Sequence, residues 1–393
     1  MGSTERRGVG IVFFVNGAVT GTFASRLPWI AERLHLSSGL LGAVGLTTSI
    51  GALATMPFAA QFVHRYGPKA ATRVLIAASS LALALPAFAP DVVVLTAVML
   101  LYGALLGTND NAMNAQAVEA EQRVGKSIMS GLHGIWSLGV LAGALLGSLS
   151  ARAGIDPRVQ FTVTAAVAAV CGAVACSWLE GGRPVGAAAE VEVPRFAWPH
   201  GVLLLIGLVG FASVFVEFAA NDWSAVFMHW VLHTNQAEAA IATGVFAGSM
   251  AAGRLCGDAL VRRIGAGPSV RACGVLGAVG CILVAVTPSA LVALAGFMLI
   301  GLGVSVVVPL VFAAAGRSGP SPAIGVAGVA TVSYGAGMAA PSVMGGVADL
   351  SSLRIAFAVA AVLAAAIAAG GGLLGRQHSS EPAKPEPAAE PAQ

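Results

Sequence analysis

Charged residues are scarce in this chain of 393 residues. Asp, Glu, Lys and Arg together make up 10% of the sequence, whereas hydrophobic residues make up 57%. A soluble domain carries roughly 25% charged residues. The scarcity therefore excludes a soluble globular protein and indicates a protein embedded in a lipid bilayer. The net charge of +3 identifies no class of partner, and we expect no nucleic acid among them.

Cysteines and cofactor motifs are also few. The five cysteines all fall in apolar runs, and none has metal-ligand spacing, so we interpret them as small core residues without disulfides. No Gly-x-x-x-x-Gly-Lys-Ser/Thr loop is present, which argues against ATP as the energy source. We therefore expect no metal, no cofactor and no enzymatic activity. The cysteines are Cys171, Cys176, Cys256, Cys273 and Cys281.

Long apolar runs fill most of the chain. A membrane-spanning helix needs about 20 apolar residues, and twelve segments meet that requirement. In the first half they are 8–30, 38–63, 72–89, 91–118, 128–150 and 157–179; in the second they are 200–222, 236–262, 268–287, 289–315, 321–348 and 352–374. The sequence thus predicts an all-α membrane protein. It has an N-terminal six-helix bundle (1–179), a polar linker (180–199), a C-terminal six-helix bundle (200–375) and a disordered tail (376–393).

Lys and Arg are distributed unevenly between the two sides of the predicted membrane. With the N-terminus in the cytoplasm, 15 of them lie on the cytoplasmic side and 5 outside, with Arg254 left inside a helix. Because cytoplasmic loops carry the excess of Lys and Arg, both termini are predicted to be cytoplasmic. Arg far outnumbers Lys and Ala is abundant, which is typical of a GC-rich bacterial genome. We therefore expect a multi-pass protein of a bacterial inner membrane.

The two halves of the sequence repeat with a constant offset of 198 residues. The segment from Phe62 to Gly67, followed by Arg73, matches the segment from Leu260 to Gly265, followed by Arg271. The same offset pairs Gly103 with Gly301, Trp136 with Tyr334, Gly139 with Gly337 and Gly147 with Gly345. Single glycine matches carry little weight in a chain with 50 glycines. A constant offset across three pairs of helices, however, indicates two related halves.

The fourth predicted span ends in a polar stretch with no loop signal before it. Asp110 and Asn114 share one helical face, and Asn109 and Gln116 share the neighbouring one. Such side chains do not face acyl chains, so they must face protein or water, and they are functional candidates for that reason. We interpret the other helices as the walls of the cavity that this helix lines.

The fifth predicted span combines a polar group with a glycine ladder. His133, Trp136 and Ser137 lie on one side, and they are followed by glycines at four-residue spacing, namely Gly139, Gly143 and Gly147. Such a ladder allows another backbone to approach closely, so packing is its simplest role. For His133 and Trp136, lining the transport pathway and packing remain alternatives.

Polar residues on three further spans are candidates for the same pathway. On the seventh span Ser213, Glu217, Asn221 and Ser224 fall on one stripe, with Asp222 near its outer end. On the first span Asn16 and Thr20 share a face, and Arg26 lies near the outer mouth, where it either snorkels or pairs with Asp222. The eleventh span offers Thr331 and Tyr334.

Several of these segments together resemble a known family. They are Asn114 to Glu119, His133 to Gly139, Asp222 to Ser224 and Gly253 to Asp258. They are similar to a bacterial inner-membrane group within the major facilitator superfamily, close to the fucose-permease-like sugar/proton symporters. The resemblance implies two parallel six-helix bundles with the binding site between them at the midplane. It also implies proton coupling by a carboxylate on the fourth span, for which Asp110 is the matching residue.

Two loops resemble the superfamily's cytoplasmic signature, Gly-x-x-x-Asp-Arg-x-Gly-x-Lys/Arg. In the first half Arg65, Gly67 and Lys69 match it, while Ala60 and His64 replace the Gly and the Asp. In the second half Arg254 and Asp258 are spaced so that they can pair on one helical face. We expect Arg65, Lys69, Arg254 and Asp258 to form a gate, although basic loops that merely follow the charge bias would show the same pattern.

These patterns favour a secondary transporter that works by alternating access. The first hypothesis is proton-coupled symport of a small polar solute, such as a sugar, by a monomer. The second is an exporter of an amphipathic compound or drug, and the third is a membrane sensor or scaffold that transports nothing. Polar residues on several spans favour transport over a scaffold. The expected pathway residues are Asn16, Asn109, Asp110, Asn114, His133, Trp136, Glu217, Asn221 and Tyr334.

Overall fold

A computed structural model describes residues 2–124, 128–180, 199–318 and 322–375 of the chain. Most of the predicted linker (181–198) and the whole predicted tail (376–393) lie outside the described residues. The secondary structure of the described part is helical throughout.

The first half contains seven α-helices. They are α1 (Gly2–Ser25), α2 (Leu27–Arg33), α3 (Ser38–Tyr66), α4 (Pro68–Ala82), α5 (Val92–Val124), α6 (Met129–Arg152) and α7 (Pro157–Ala175). Short 3₁₀ turns extend α4 and α7, at Leu85–Phe88 and Cys176–Trp178. The Ser37 side chain accepts a hydrogen bond from the backbone amide of Leu40 and so caps α3.

The second half also contains seven α-helices. They are α8 (Val202–Trp230), α9 (Gln236–Ile264), α10 (Ala266–Val286), α11 (Ala290–Val304), α12 (Val307–Ser318), α13 (Pro322–Leu350) and α14 (Leu353–Gly375). The Asn235 side chain caps α9 by accepting from the amides of Ala237 and Glu238. Helices α11 and α12 follow each other within a single span, Ala290–Ser318.

Twelve helical segments in the described part are long and apolar enough to cross a membrane, which confirms the predicted number. Several predicted boundaries are wrong, among them those of the first, fourth and seventh spans. The first span ends at Ser25 because a separate helix, α2, starts at Leu27 with Pro28 in its first turn, so residues 27–30 do not continue the span. The fourth span does not end at residue 118, since α5 continues to Val124. The seventh span does not end at residue 222, since α8 continues to Trp230 with buried residues such as Phe227.

The helices form two six-helix bundles with the same packing pattern. In the first bundle α1 packs on α6 and α4 on α7; in the second α8 packs on α13 and α10 on α14. The bundles meet where α3 packs on α13 and α6 on α9. The 198-residue offset extends to the backbone, because Gly67 and Gly265 have φ angles of 80° and 84°, and His35 and His233 have 51° and 54°. The fold is therefore pseudo-symmetric.

Glycines on α1 and α6 bring these two backbones together. A Cβ atom at Gly139 would clash with the carbonyl oxygen of Phe14, and one at Gly17 would clash with that of Trp136. The predicted packing role of the ladder on α6 is thereby confirmed. The same offset relates Gly103, which lies against the backbone of Thr48, to Gly301, which lies against the backbone of Phe246.

The cysteine prediction is only partly correct. All five thiols are free, and Cys176, Cys273 and Cys281 are buried as expected. Cys171 and Cys256 are exposed instead, because they lie on outward faces of α7 and α9.

The two ends of the molecule differ in how the bundles meet. We call the end that carries Gly2, Tyr66 and Ile264 the N-terminal face, and the end that carries Glu32, Arg152 and Leu350 the far face. At the far face the bundles are joined by hydrogen bonds from His229 and Gln236 to Glu32, from Gly39 to Asp349, and from Ser148 to the carbonyl of Ala237. Among the described residues, the cross-bundle hydrogen bond closest to the N-terminal face is the one Arg254 makes.

Candidate functional site

Some polar residues of α5 lie on its exposed side and others on its buried side. Asp110 is exposed, and the Asn114 amide donates to the backbone carbonyl of Asp110 at 2.8 Å. Asn109 is 0% exposed and its side chain has no hydrogen-bond partner. Gln116 is also buried and donates to Glu5 of α1. The structure therefore places Asp110 and Asn114, but not Asn109, where a solute could reach them.

Asp110 lies near Tyr334, which belongs to the other bundle. The two side chains are close enough to interact electrostatically. Tyr334 is 55% exposed, and its ring centre lies 6.2 Å from that of Phe312 on α12. A carboxylate from α5 and a phenol from α13 thus face a common space between the bundles.

Arg254 on α9 makes a contact that connects the bundles. Its guanidinium lies 3.1 Å from a carboxylate oxygen of Glu217 on α8. It also donates to Ser137 Oγ at 2.8 Å and to the His133 carbonyl at 3.5 Å, both on α6 of the first bundle. The charge of the embedded Arg254 guanidinium is thus balanced by a carboxylate from its own bundle, and its other donors bond to two oxygens of the first bundle.

The predicted pair between Arg254 and Asp258 is wrong. Helical side chains lean toward the N-terminus of their helix, so Arg254 extends toward the middle of α9 and away from Asp258. Asp258 lies exposed one turn closer to the N-terminal face. Glu217 lies in the direction in which Arg254 points, and it is only partly exposed.

Trp136 and His133 belong to the interface between α1 and α6. The Trp136 indole donates to the amide oxygen of Asn16 at 2.8 Å, and the His133 ring meets Phe13 edge-on at 5.6 Å. Asn16 is buried by this contact, whereas Trp136 and His133 stay partly exposed. Their packing role is therefore visible, and their role in a pathway stays a prediction.

The predicted stripe on α8 is only half accessible. Ser213 and Ser224 are fully buried, and Ser224 bonds to Thr243 of α9. Glu217 and Asn221 remain partly exposed, so only these two can line an open space. Their neighbour Asp222 accepts a hydrogen bond from Asn221 at 2.7 Å.

The predictions for Asp222 and Arg26 are wrong. Asp222 does not lie near the outer end of its span, because α8 continues for two further turns to Trp230. Arg26 neither snorkels nor pairs with Asp222. It is buried, and it donates instead to the side chain of Gln160 on α7.

Within the part of the chain that the structure describes, the contacts of the two predicted gate residues of the first loop are made to their own bundle. Arg65 is exposed and lies over the ring of Tyr66, and Lys69 donates to the carbonyl of Leu179. The side chain of His64 lies outside the described residues. Sequence reasoning missed the contacts of Glu32 with His229 and Gln236, because nothing in a local pattern relates residues about 200 positions apart.

Comparisons with known proteins agree with this architecture. The sequence profile of the Major Facilitator Superfamily matches residues 9–340. The chain is 32% identical over 373 residues to an uncharacterised MFS-type transporter of Yersinia pestis, covering 94% of this chain and 95% of that one. It is 26% identical over 386 residues to the membrane protein MosC of Rhizobium meliloti, covering 95% and 91%.

Solved structures show the same fold at low sequence identity. The nucleoside transporter NupG superposes with a TM-score of 0.73 at 14% identity, covering 94% of this chain and 98% of that one. A bacterial homologue of the human lysosomal transporter Spinster, in an inward-facing and unoccupied conformation, superposes with a TM-score of 0.69 at 14% identity, covering 95% and 97%.

The chain belongs to the Major Facilitator Superfamily. It is a multi-pass membrane protein and a secondary transporter of small solutes, not an enzyme.

Proposed function

We propose that this transporter couples the movement of a small polar solute to protons, and that Asp110 carries the proton. The observation on which this proposal rests is that Asp110 is exposed, faces the other bundle at Tyr334, and takes part in no ion pair among the described residues. An embedded acid without a fixed counter-ion is suited to bind a proton at one face and release it at the other. Glu217 is less suited, since Arg254 holds it in a salt bridge.

Alternating access is supported by the asymmetry between the two faces. The cross-bundle hydrogen bonds of Glu32, Gly39 and Ser148 close the far face. With the N-terminus in the cytoplasm, as the Lys and Arg distribution predicts, this is an inward-facing state with the far face periplasmic. It agrees with the inward-facing conformation of the Spinster homologue.

The solute we propose carries several hydroxyl groups on a small ring. The amides of Asn114 and Asn221 and the phenol of Tyr334 are accessible polar groups that hydrogen-bond hydroxyls. The resemblance to sugar symporters supports such a solute, and so does the name of the nucleoside transporter with the same fold. One chain provides both bundles, so we propose a monomer in a bacterial inner membrane.

The test begins with thermal unfolding of the purified protein in the presence of individual sugars and nucleosides. A bound solute stabilises the folded state by mass action and thereby identifies itself. The protein is then placed in liposomes, and uphill uptake driven by a pH gradient is compared with exchange at equal pH. We expect Asp110→Asn to retain exchange and to lose accumulation.

A matched variant controls for the loss of a carboxylate elsewhere. Glu238 is an exposed acid in the first turn of α9, and Glu238→Gln should accumulate the solute like the wild type. Accumulation by Asp110→Asn at the wild-type level would show that Asp110 is not the coupling residue.

A further inference from the structure

Arg26 is a buried cation without a counter-ion. It lies at the joint between α1 and α2, is 2% exposed, and donates from Nε to Gln160 Oε1 at 2.8 Å. Its Nη2 atom is buried and has no partner, and among the described residues no ion pair includes Arg26. Burial lowers the pKa of Arg26 to about 10, so the guanidinium is still charged at neutral pH.

Two further buried polar groups without partners lie beside Arg26. Because Gln160 uses its oxygen to accept from Arg26, its Nε2 group remains a donor, and that atom has no acceptor. Thr22 lies one turn before Arg26, and its hydroxyl is buried and unpaired as well. Both groups adjoin glycines of α6. A Cβ at Gly147 would lie 3.7 Å from Gln160 Nε2, and one at Gly143 would lie 3.0 Å from Thr22 Oγ1.

Burial alone accounts for the lowered pKa of Arg26, so among the described residues no carboxylate offsets its charge. An uncompensated buried charge is costly, and proteins normally balance it with an opposite charge. A water molecule would satisfy the donors of Arg26 and Gln160 but would leave the charge unbalanced.

We propose that Arg26, Gln160 and Thr22 bind a small inorganic anion such as chloride between α1, α6 and α7. The burial of Arg26 excludes a lipid headgroup. Helices α1 and α6 also approach closely at Gly143, where a Cβ would lie 2.2 Å from the carbonyl oxygen of Ala18, so only an ion smaller than phosphate fits beside them. The anion stabilises the joint from which α2 extends. Because α2 carries Glu32, which bonds to His229 and Gln236 of the other bundle, the site supports the closed far face.

The test measures thermal unfolding of the full chain in detergent, by tryptophan fluorescence, in sodium chloride, sodium phosphate or sodium gluconate at equal ionic strength. We expect chloride to raise the midpoint in a saturable manner by about 3–6 °C over gluconate, since an ion that binds only the folded state stabilises it. Phosphate should match gluconate. Equal midpoints in chloride and gluconate would overturn the proposal, and so would stabilisation by phosphate alone.

Three variants locate the effect. Gln160→Glu places a carboxylate beside Arg26, so it should remove the chloride dependence and be at least as stable in gluconate as the wild type is in chloride. Arg26→Gln should also lose the dependence. Arg152 is exposed on the same face, and Arg152→Gln should keep the full chloride effect. A chloride effect that persists in Gln160→Glu would place the anion elsewhere, even if Arg26→Gln fails to fold.

Discussion

Glu217 and Arg254 stabilise each other inside the membrane-spanning region, and each depends on the other to be tolerated there. Arg254 has three oxygen acceptors, whereas the described contacts give Glu217 only Arg254 as a charged partner. Removal of one member of such a pair leaves a poorly solvated charge behind, which costs more than the pair contributes.

We therefore predict that Arg254→Ala destabilises the protein by on the order of 2–4 kcal/mol. Asp258→Ala, one turn further along the same helix, should change stability by no more than about 0.5 kcal/mol because Asp258 is exposed. Thermal unfolding of both variants checks this. The double variant Glu217→Gln with Arg254→Ala should recover part of the loss, and equal losses for Arg254→Ala and Asp258→Ala would contradict the described pairing.

Individual polar residues were predictable as embedded, but their partners were not. Asp110, Glu217 and Arg254 stand out because charge is rare in apolar runs, and that signal is local. Arg254 was assigned to Asp258 because sequence spacing shows only neighbours on the same helix. Its partner Glu217 lies on α8 and is reached only after two helices have packed. Asn109 was expected in the pathway, yet the rotation of α5 buries it.

At the scale of helices, close packing of α1 on α6 depends on glycines at set positions. Gly139 faces the backbone of Phe14, which cannot move aside as a flexible side chain would. Gly131 lies on the same helix α6, and a Cβ atom there would meet nothing within 4 Å. Gly131 therefore serves as a control for Gly139, since both lie on α6 but only Gly139 contacts another backbone.

We predict that Gly139→Ala destabilises the protein by about 1–3 kcal/mol, because the added methyl group forces the helices apart. Gly131→Ala should be neutral or stabilise slightly, since Ala favours a helix over Gly. The measurement is again thermal unfolding, with solute transport as a second readout. A loss of similar size in both variants would indicate helix propensity and not the α1–α6 approach as the cause.

The number of spans followed from the length of the apolar runs, because the bilayer sets that length. The ends of spans are harder to predict where apolar sequence continues past a polar residue, because the polar residue resembles the end of an apolar run. On α8 the run from Trp223 to Met228 is buried against neighbouring helices, so the helix continues beyond Asp222. Composition around Asp222 alone suggested an end there.

At the scale of the whole molecule, the 198-residue offset predicted the duplicated architecture, and the repeated packing and φ angles agree with it. The same offset provides equivalent labelling positions in the two bundles. Arg65 and Arg263 are exposed at the N-terminal face, and Arg152 and Leu350 are exposed at the far face. The state of each face can thus be followed by one distance.

The central claim is that the bundles alternate between two states in which only one face is open. It is tested by spin-label distances across the pair 65 and 263 and across the pair 152 and 350, measured in a cysteine-free background at several pH values with and without solute. Labels at Asp91 and Ala153, both exposed in the first bundle, give a control distance that should stay constant. We predict two populations in which the first distance shortens whenever the second lengthens. Distances that stay fixed under every condition, or that change in the same direction, would contradict alternating access.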